Sequence, residues 1–101
     1  MSVSLFLKAR LILFRLDEKF DIDYDGYSGM KTTFKTGDTL ISCRVIHGDP
    51  ETPIEREKEY CVTIDLAYGH LYKDLIHEGC KFTLVFSSIE FGEGEILEIL
   101  D

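Results

Sequence analysis

Three aspartates at alternate positions are the residues in this chain whose spacing most resembles a chemical site. Asp21, Asp23 and Asp25 precede Gly26. This is the opening pattern of a calcium-binding loop, because alternating carboxylates can surround a hard cation and the glycine permits a sharp turn. The pattern then ends, since the twelfth position holds Thr32 instead of a bidentate glutamate. We interpret the segment as a solvated acidic loop, with a weak, incidental cation site as the open alternative.

The three histidines and three cysteines do not have the spacing of a zinc site. His70 and His77 are seven positions apart, and no pair has the short spacing of a structural zinc ligand set. The cysteines are odd in number and never form a C-x-x-C pair, which is typical of a reducing compartment. Cys43 lies on an apolar strand face, where a thiol behaves as a small hydrophobic group. The sequence therefore predicts neither a bound metal nor a cysteine nucleophile.

Motifs of nucleotide hydrolysis and of serine hydrolases do not occur in the chain. It contains no G-x-x-x-x-G-K-[ST] loop and no G-x-S-x-G elbow. The pair Gly92 and Gly94 is too short for a dinucleotide fingerprint, and Glu93 between them would repel a phosphate. We predict that the protein is not an enzyme and takes no cofactor, with small-ligand binding or an unrecognised active site as the alternative. That alternative would have to bring together Tyr24, Asp25, Tyr27 and either His47 or His70.

Length and charge limit the remaining classes of function. A chain of 101 residues suffices for one hydrophobic core, so we expect a single domain over residues 1–101. The formal net charge of −8 opposes binding to nucleic acid, which needs Lys and Arg to neutralise phosphates. No apolar run is long enough to cross a membrane, and a positive leader is lacking, so we predict a cytoplasmic protein. The acidic run over residues 90–101 is expected to be a solvated face, or else a docking surface for a basic partner.

Alternating apolar residues predict the elements that must position any site. We expect strands over residues 5–16, 30–35, 39–46 and 60–66, separated by an acidic loop at 17–29 and a charged loop at 47–59. A short helix is the alternative for the first segment, because periodicity alone does not settle a short apolar run. The connection over residues 67–78 is expected to hold one helical turn, fixed to the core by Leu71, Leu75 and Ile76.

The last part of the chain predicts a hairpin that closes the fold. Phe82, Leu84 and Phe86 alternate with less apolar residues, and two serines follow that can turn the chain. Gly92 and Gly94 then share one face of the return strand, so we expect another backbone or a bulky side chain to approach there. The whole pattern indicates an all-β domain, a sandwich or barrel, and closure into a barrel would remove its exposed edges.

The order of several short motifs resembles the third, C-terminal β-barrel domain of elongation factor Tu and its relatives. Gly26-Tyr27 stands where that family has Gly-Tyr-Arg-Pro, and residues 34–38 resemble its Phe-Arg-Thr-Thr-Asp with one inserted residue. Residues 62–66 are similar to a valine-rich strand ending in Glu-Leu, residues 79–84 to Gly-x-Arg-Phe-x-Ile/Leu, and residues 91–94 to Val-Gly-Ala-Gly. The resemblance implies a six-stranded antiparallel Greek-key barrel without catalytic groups, which binds aminoacyl-tRNA and contacts other protein domains.

This chain departs from the family pattern at positions that change the expected partner from tRNA to a protein. Ser28 stands in place of the family's arginine in Gly-Tyr-Arg-Pro, and the two arginines of its Arg-Glu-Gly-Gly-Arg turn correspond to Val85 and Ile89. Loss of these cations disfavours tRNA binding, and apolar atoms on a surface tend to mark protein contacts. By resemblance, the binding residues are expected to be Gly26, Tyr27, Ser28, Val85, Ile89, Gly92 and Gly94.

These observations predict a non-catalytic interaction module that binds a protein partner or a second copy of itself. The alternative is a translation-associated protein that binds tRNA or an elongation-factor partner. GTP is not an expected ligand, because the sequence contains no GTPase motif.

Overall fold

A computed structural model describes residues 4–14, 28–48 and 51–100 of the chain. The strands are β1 (Leu5–Leu13), β2 (Met30–Thr36), β3 (Thr39–Ile46), β4 (Glu59–Leu66), β5 (Lys81–Phe86) and β6 (Ile89–Ile99). A 3₁₀ helix, Gly69–Leu75, connects β4 to β5. No helix among the described residues has the length and apolar composition needed to cross a membrane.

The six strands form a closed barrel in which every neighbouring pair is antiparallel. The order around the barrel is β1-β4-β3-β2-β5-β6, and β6 pairs with β1 to close it. Because β1 lies beside β4 instead of β2, the first four strands have the Greek-key arrangement. The all-β antiparallel barrel expected from the sequence is confirmed, and the alternative of a short helix over the first segment is wrong.

Side chains alternate between the inside and the outside of the barrel along its strands. Because the inward positions hold apolar residues, the segments bury them by forming strands. In β1 every second residue is buried, from Leu5 to Leu13, and the residues between them face outward. The rings of Phe34 and Phe82 stack inside the barrel with their centroids 4.6 Å apart. Among the described residues, no polar or charged residue is buried. The barrel is therefore held together mainly by apolar burial and by the hydrogen bonds between its strands.

Glycines on the inner face of β6 let the wall of the barrel close. Gly94 lies opposite Leu11 of β1 and opposite Phe82 of β5. A Cβ atom at Gly94 would lie 2.5 Å from Phe82 Cζ and closer still to the carbonyl oxygen of Arg10. At Gly92 it would lie 2.9 Å from Leu13 Cδ2. The close approach that the sequence predicts at this pair is confirmed.

The connection between β4 and β5 differs from its prediction. Ile76 is buried, as expected, but Leu71 and Leu75 are 71% and 46% exposed and do not fix the helical turn to the core. The helix approaches the barrel through Gly69, where a Cβ would lie 2.5 Å from Leu5 Cβ. Because this side of the helix carries no side chain, the backbone packs directly on the barrel and the two leucines point away from it.

The charged loop before β4 contains a core residue that the sequence did not indicate. Ile54 is completely buried, and the loop is attached to β1 by a hydrogen bond from the Glu57 amide to the Leu13 carbonyl, 2.8 Å. An isolated apolar residue among prolines and charges has no periodicity, so no pattern marks it as buried.

Substitution of Gly94 by alanine tests the closure of the barrel. The new Cβ would clash with the Arg10 carbonyl oxygen, a backbone atom that cannot move aside cheaply, so we expect Gly94→Ala to lower the free energy of unfolding by about 1–3 kcal/mol. Urea denaturation measures this loss. Gly48→Ala is the matched control, because a Cβ there meets nothing within 4 Å. Equal stability of the two variants would contradict the closure described here.

Candidate functional site

Five of the residues expected by resemblance to form a binding site are described by the structure, namely Ser28, Val85, Ile89, Gly92 and Gly94. Gly26 and Tyr27 fall outside the described residues, as do the aspartates of the calcium-like loop and Tyr24. Ser28 has a structural role: its hydroxyl donates to the His47 carbonyl oxygen, 3.1 Å, and accepts from the His47 amide, 3.0 Å. These two bonds join the entry of β2 to the exit of β3. Gly92 and Gly94 belong to the closing wall of the barrel.

Phe86 is exposed at the tip of the β5–β6 hairpin, whereas the sequence predicted that Val85 and Ile89 would form the apolar surface there. Val85 and Ile89 are half-buried, because Val85 pairs with both Thr33 and Glu90, and Ile89 pairs with Phe86. Phe86 itself is 52% exposed. The alternation predicted an inward side chain, but β2 pairs with β5 only as far as Val85. The Phe86 ring therefore lies beyond the last residue of β5 that pairs with β2, at the rim of the barrel.

Local contacts hold this hairpin tip in place. Ser87 and Ser88 form the turn with φ angles of +50° and +66°. Positive φ at both central residues is the requirement of a two-residue hairpin of type I′, and it costs a non-glycine residue about 1–2 kcal/mol. Thr32 Oγ1 donates to the Val85 carbonyl oxygen, 2.9 Å, which fixes the end of β5 to β2. Phe86 is thus exposed on a hairpin whose backbone conformation is fixed by these contacts.

One outward-facing row of side chains crosses four neighbouring strands beside Phe86. Cross-strand pairing sets Phe6 of β1 against Asp65 of β4, Asp65 against Arg44 of β3, and Arg44 against Lys31 of β2. We refer to Phe6, Asp65, Arg44, Lys31 and Phe86 as the Arg44 face. Four of these residues, all except Phe6, line one shallow cleft of about 520 Å³. The five residues come from five different strands, so the barrel fold alone brings them together.

Positive charge exceeds negative charge on the Arg44 face, where two cations, Lys31 and Arg44, accompany one carboxylate, Asp65. Lys31 and Arg44 stand directly opposite each other, an arrangement of like charges that destabilises a sheet. Within the three described stretches of chain, neither side chain makes an ion pair. Arg10 differs, because it pairs with Glu59 at 3.1 Å and with Glu95 at 2.9 Å. A protein with a net charge of −8 therefore carries a local excess of positive charge on this face.

Asp65 adds a carboxylate to the same face, directly opposite Arg44 in the strand register. Its Oδ1 atom is shielded from solvent, and no group in the described part of the chain donates a hydrogen bond to it. A buried acceptor without a donor costs about 1–3 kcal/mol. The Arg44 face thus combines two cations, one carboxylate and an exposed aromatic ring, which suits a ligand with an anionic group and an apolar group.

The cleft on the β1, β5 and β6 side of the barrel has balanced charge instead. It measures about 450 Å³, and its three cations, Arg10, Lys35 and Lys81, face three glutamates. Lys35 pairs with Glu90 at 3.5 Å, and Lys81 lies opposite Glu95 in the strand register. Its cations and carboxylates are equal in number, whereas the Arg44 face has two cations and one carboxylate, so this cleft attracts an anion less than the Arg44 face does.

The thiol that lies beneath the Arg44 face is chemically inert at neutral pH. Burial, together with the nearby Asp65 charge, raises the pKa of Cys43 to about 12, while a hydrogen bond with the Thr32 backbone opposes the shift. The nucleophilic form of cysteine is the thiolate, so Cys43 remains a protonated core residue. As for metals, no group of three or more His, Cys, Asp or Glu side chains in the described residues is placed to hold an ion.

Thiol labelling tests this assignment of the cysteines. We expect iodoacetamide at pH 8 to modify the exposed Cys61 and to leave Cys43 unmodified in the folded protein, because Cys43 is both buried and protonated. Peptide mass mapping reads the two positions separately. Unfolding in urea serves as the control, since it should make the two thiols equally reactive. Comparable labelling of both in the native protein would contradict the burial of Cys43.

Comparison with known proteins identifies no family for this chain. No protein-family model matches it, and a search of curated proteins finds no match.

Proposed function

We propose that this chain is a non-catalytic protein-binding barrel that engages its partner through the Arg44 face. The observation that carries the proposal is the position of an exposed Phe86 beside Lys31 and Arg44, two cations without an ion pair to any described residue. Aromatic residues and arginine are enriched at the energetic centres of protein interfaces. An exposed phenylalanine held by a fixed turn contributes contact area at little cost in conformational entropy.

Closure of the barrel limits how a partner can bind. Each strand already has a neighbour on both sides, so a partner cannot add a long strand to a free edge, which is a common mode of peptide recognition. Recognition must then depend on outward-facing side chains. The Arg44 face supplies them from five strands of one rigid sheet.

We further propose, from the order of sequence motifs, that the barrel is related to the third domain of elongation factor Tu and acts in the cytoplasm without GTP. In that family the domain contacts other protein domains, which agrees with a role in protein binding. The half-buried Val85 and Ile89 replace the arginines of the family's turn, which weakens the case for tRNA as the partner.

Substitution of Phe86 by serine tests the proposed binding function. With the tagged full chain as bait in native lysate, we expect the wild type to retain a specific protein and Phe86→Ser to lose it. For the purified pair, the affinity should fall about tenfold or more, as at an interface hot spot. Leu40→Ser is the matched control, because Leu40 is also an exposed apolar residue, at 59%, and lies outside the Arg44 face.

Two results would contradict the proposed function. One is retention of the same proteins, at the same affinity, by the wild type and by Phe86→Ser. The other is retention of a nuclease-sensitive complex alone, which would point to RNA as the partner.

A further inference from the structure

We propose that the Arg44 face recognises an acidic, extended peptide segment of its partner, with a carboxylate between two apolar side chains. This inference rests on the proposed function and specifies the chemical class of the partner. It follows from the order of charges and rings along the row, from Phe86 through Lys31, Arg44 and Asp65 to Phe6.

The two cations define the centre of the recognised segment. Lys31 and Arg44 lie on adjacent strands, whose backbones are about 4.8 Å apart. One carboxylate, or two from neighbouring acidic residues, can therefore contact both side chains, and a guanidinium binds a carboxylate through two parallel hydrogen bonds. The net charge of −8 does not prevent this contact, because charges beyond about 8 Å are largely screened at physiological ionic strength.

Asp65 favours a peptide over a phosphate-bearing ligand. Side chains alternate along an extended peptide, so a peptide can place a carboxylate at Lys31 and Arg44 and an uncharged residue beside Asp65. A phosphodiester backbone instead carries a negative charge at every nucleotide. Its closely spaced negative charges would also lie against the Asp65 carboxylate, next to Arg44 in the strand register. The face therefore suits a ligand that carries a localised anion with uncharged groups beside it.

The exposed rings set the length of the segment. Phe86 and Phe6 stand at opposite ends of the row and are 52% and 40% exposed. They are four strand spacings apart, about 19 Å along a flat sheet and less on a curved wall. Because an extended chain advances about 3.3–3.6 Å per residue, four to six residues span the face. The expected pattern is an apolar residue, one or two acidic residues in the centre, and a second apolar residue.

Binding of defined peptides to the purified full chain tests this inference. The probe is fluorescein-labelled Leu-Gly-Asp-Glu-Gly-Phe. The matched probe, Leu-Gly-Asn-Gln-Gly-Phe, carries the same label and has the same shape but lacks the two side-chain charges. We expect fluorescence anisotropy to show at least about tenfold tighter binding of the acidic peptide, since charge-assisted hydrogen bonds are the stronger ones. Raising the salt concentration should weaken that preference.

Variants test whether Lys31 and Arg44 cause the preference for the acidic peptide. The double variant Lys31→Gln with Arg44→Gln should lose the preference for the acidic peptide, and Arg44→Lys should keep part of it. Lys81→Gln is the control that should change nothing, because Lys81 belongs to the charge-balanced cleft. If the double variant fails to fold, the comparison of the two peptides on the wild type still decides the question.

Each remaining outcome has a definite meaning. Equal binding of the two peptides, or tighter binding of inorganic phosphate or tRNA, would overturn the inference. Self-association that light scattering detects and the double variant abolishes would also overturn it, because the occupant would then be a second copy of this chain. Should Phe86-dependent capture of a protein persist without any acidic preference, the inference fails and the proposed function stands.

Discussion

The close contact between β6 and its two neighbours is the constraint on which the rest of the structure depends. Gly94 meets the Arg10 carbonyl on one side and the Phe82 ring on the other. A side chain at this position would push β6 away from β1 or β5, and the barrel would open into a sheet with two free edges. Closure also fixes the curvature and stagger of the whole wall, and thereby the outward side chains that form the Arg44 face.

The register of the strands in the closed barrel determines which side chains lie together on the Arg44 face. No two residues of the Arg44 face share a strand, and their spacing depends on four strand pairings between distant parts of the chain. The arrangement keeps two like charges opposite each other and a buried carboxylate oxygen without a described donor, at a cost in stability. Apolar burial inside the barrel offsets that cost. A bound acidic peptide would relieve the repulsion between the two cations, so binding at this face should also stabilise the fold.

The sequence predicts the strands well because their signal is local. Apolar side chains at every second position indicate β1 and β4, and the glycine pair of β6 predicts a close approach of the neighbouring strands. The exposure of Phe86 could not be predicted, since it depends on where pairing between β2 and β5 ends. Ile54 gave no periodic signal. The pairing of Lys31 with Arg44 follows from the turn between β2 and β3. The pairing of Arg44 with Asp65 depends on the register across the long loop between β3 and β4, and that of Asp65 with Phe6 needs the Greek-key order that brings β1 beside β4.

Residue-level amide hydrogen exchange by NMR tests most directly whether the barrel closes between β1 and β6. The account predicts that amides bonded across this seam exchange as slowly as those between β2 and β3, because one cooperative barrel opens as a unit. Fast exchange across the seam, with continued protection between β2 and β3, would mean an open sheet. The Arg44 face would then lack the fixed wall that aligns its five side chains.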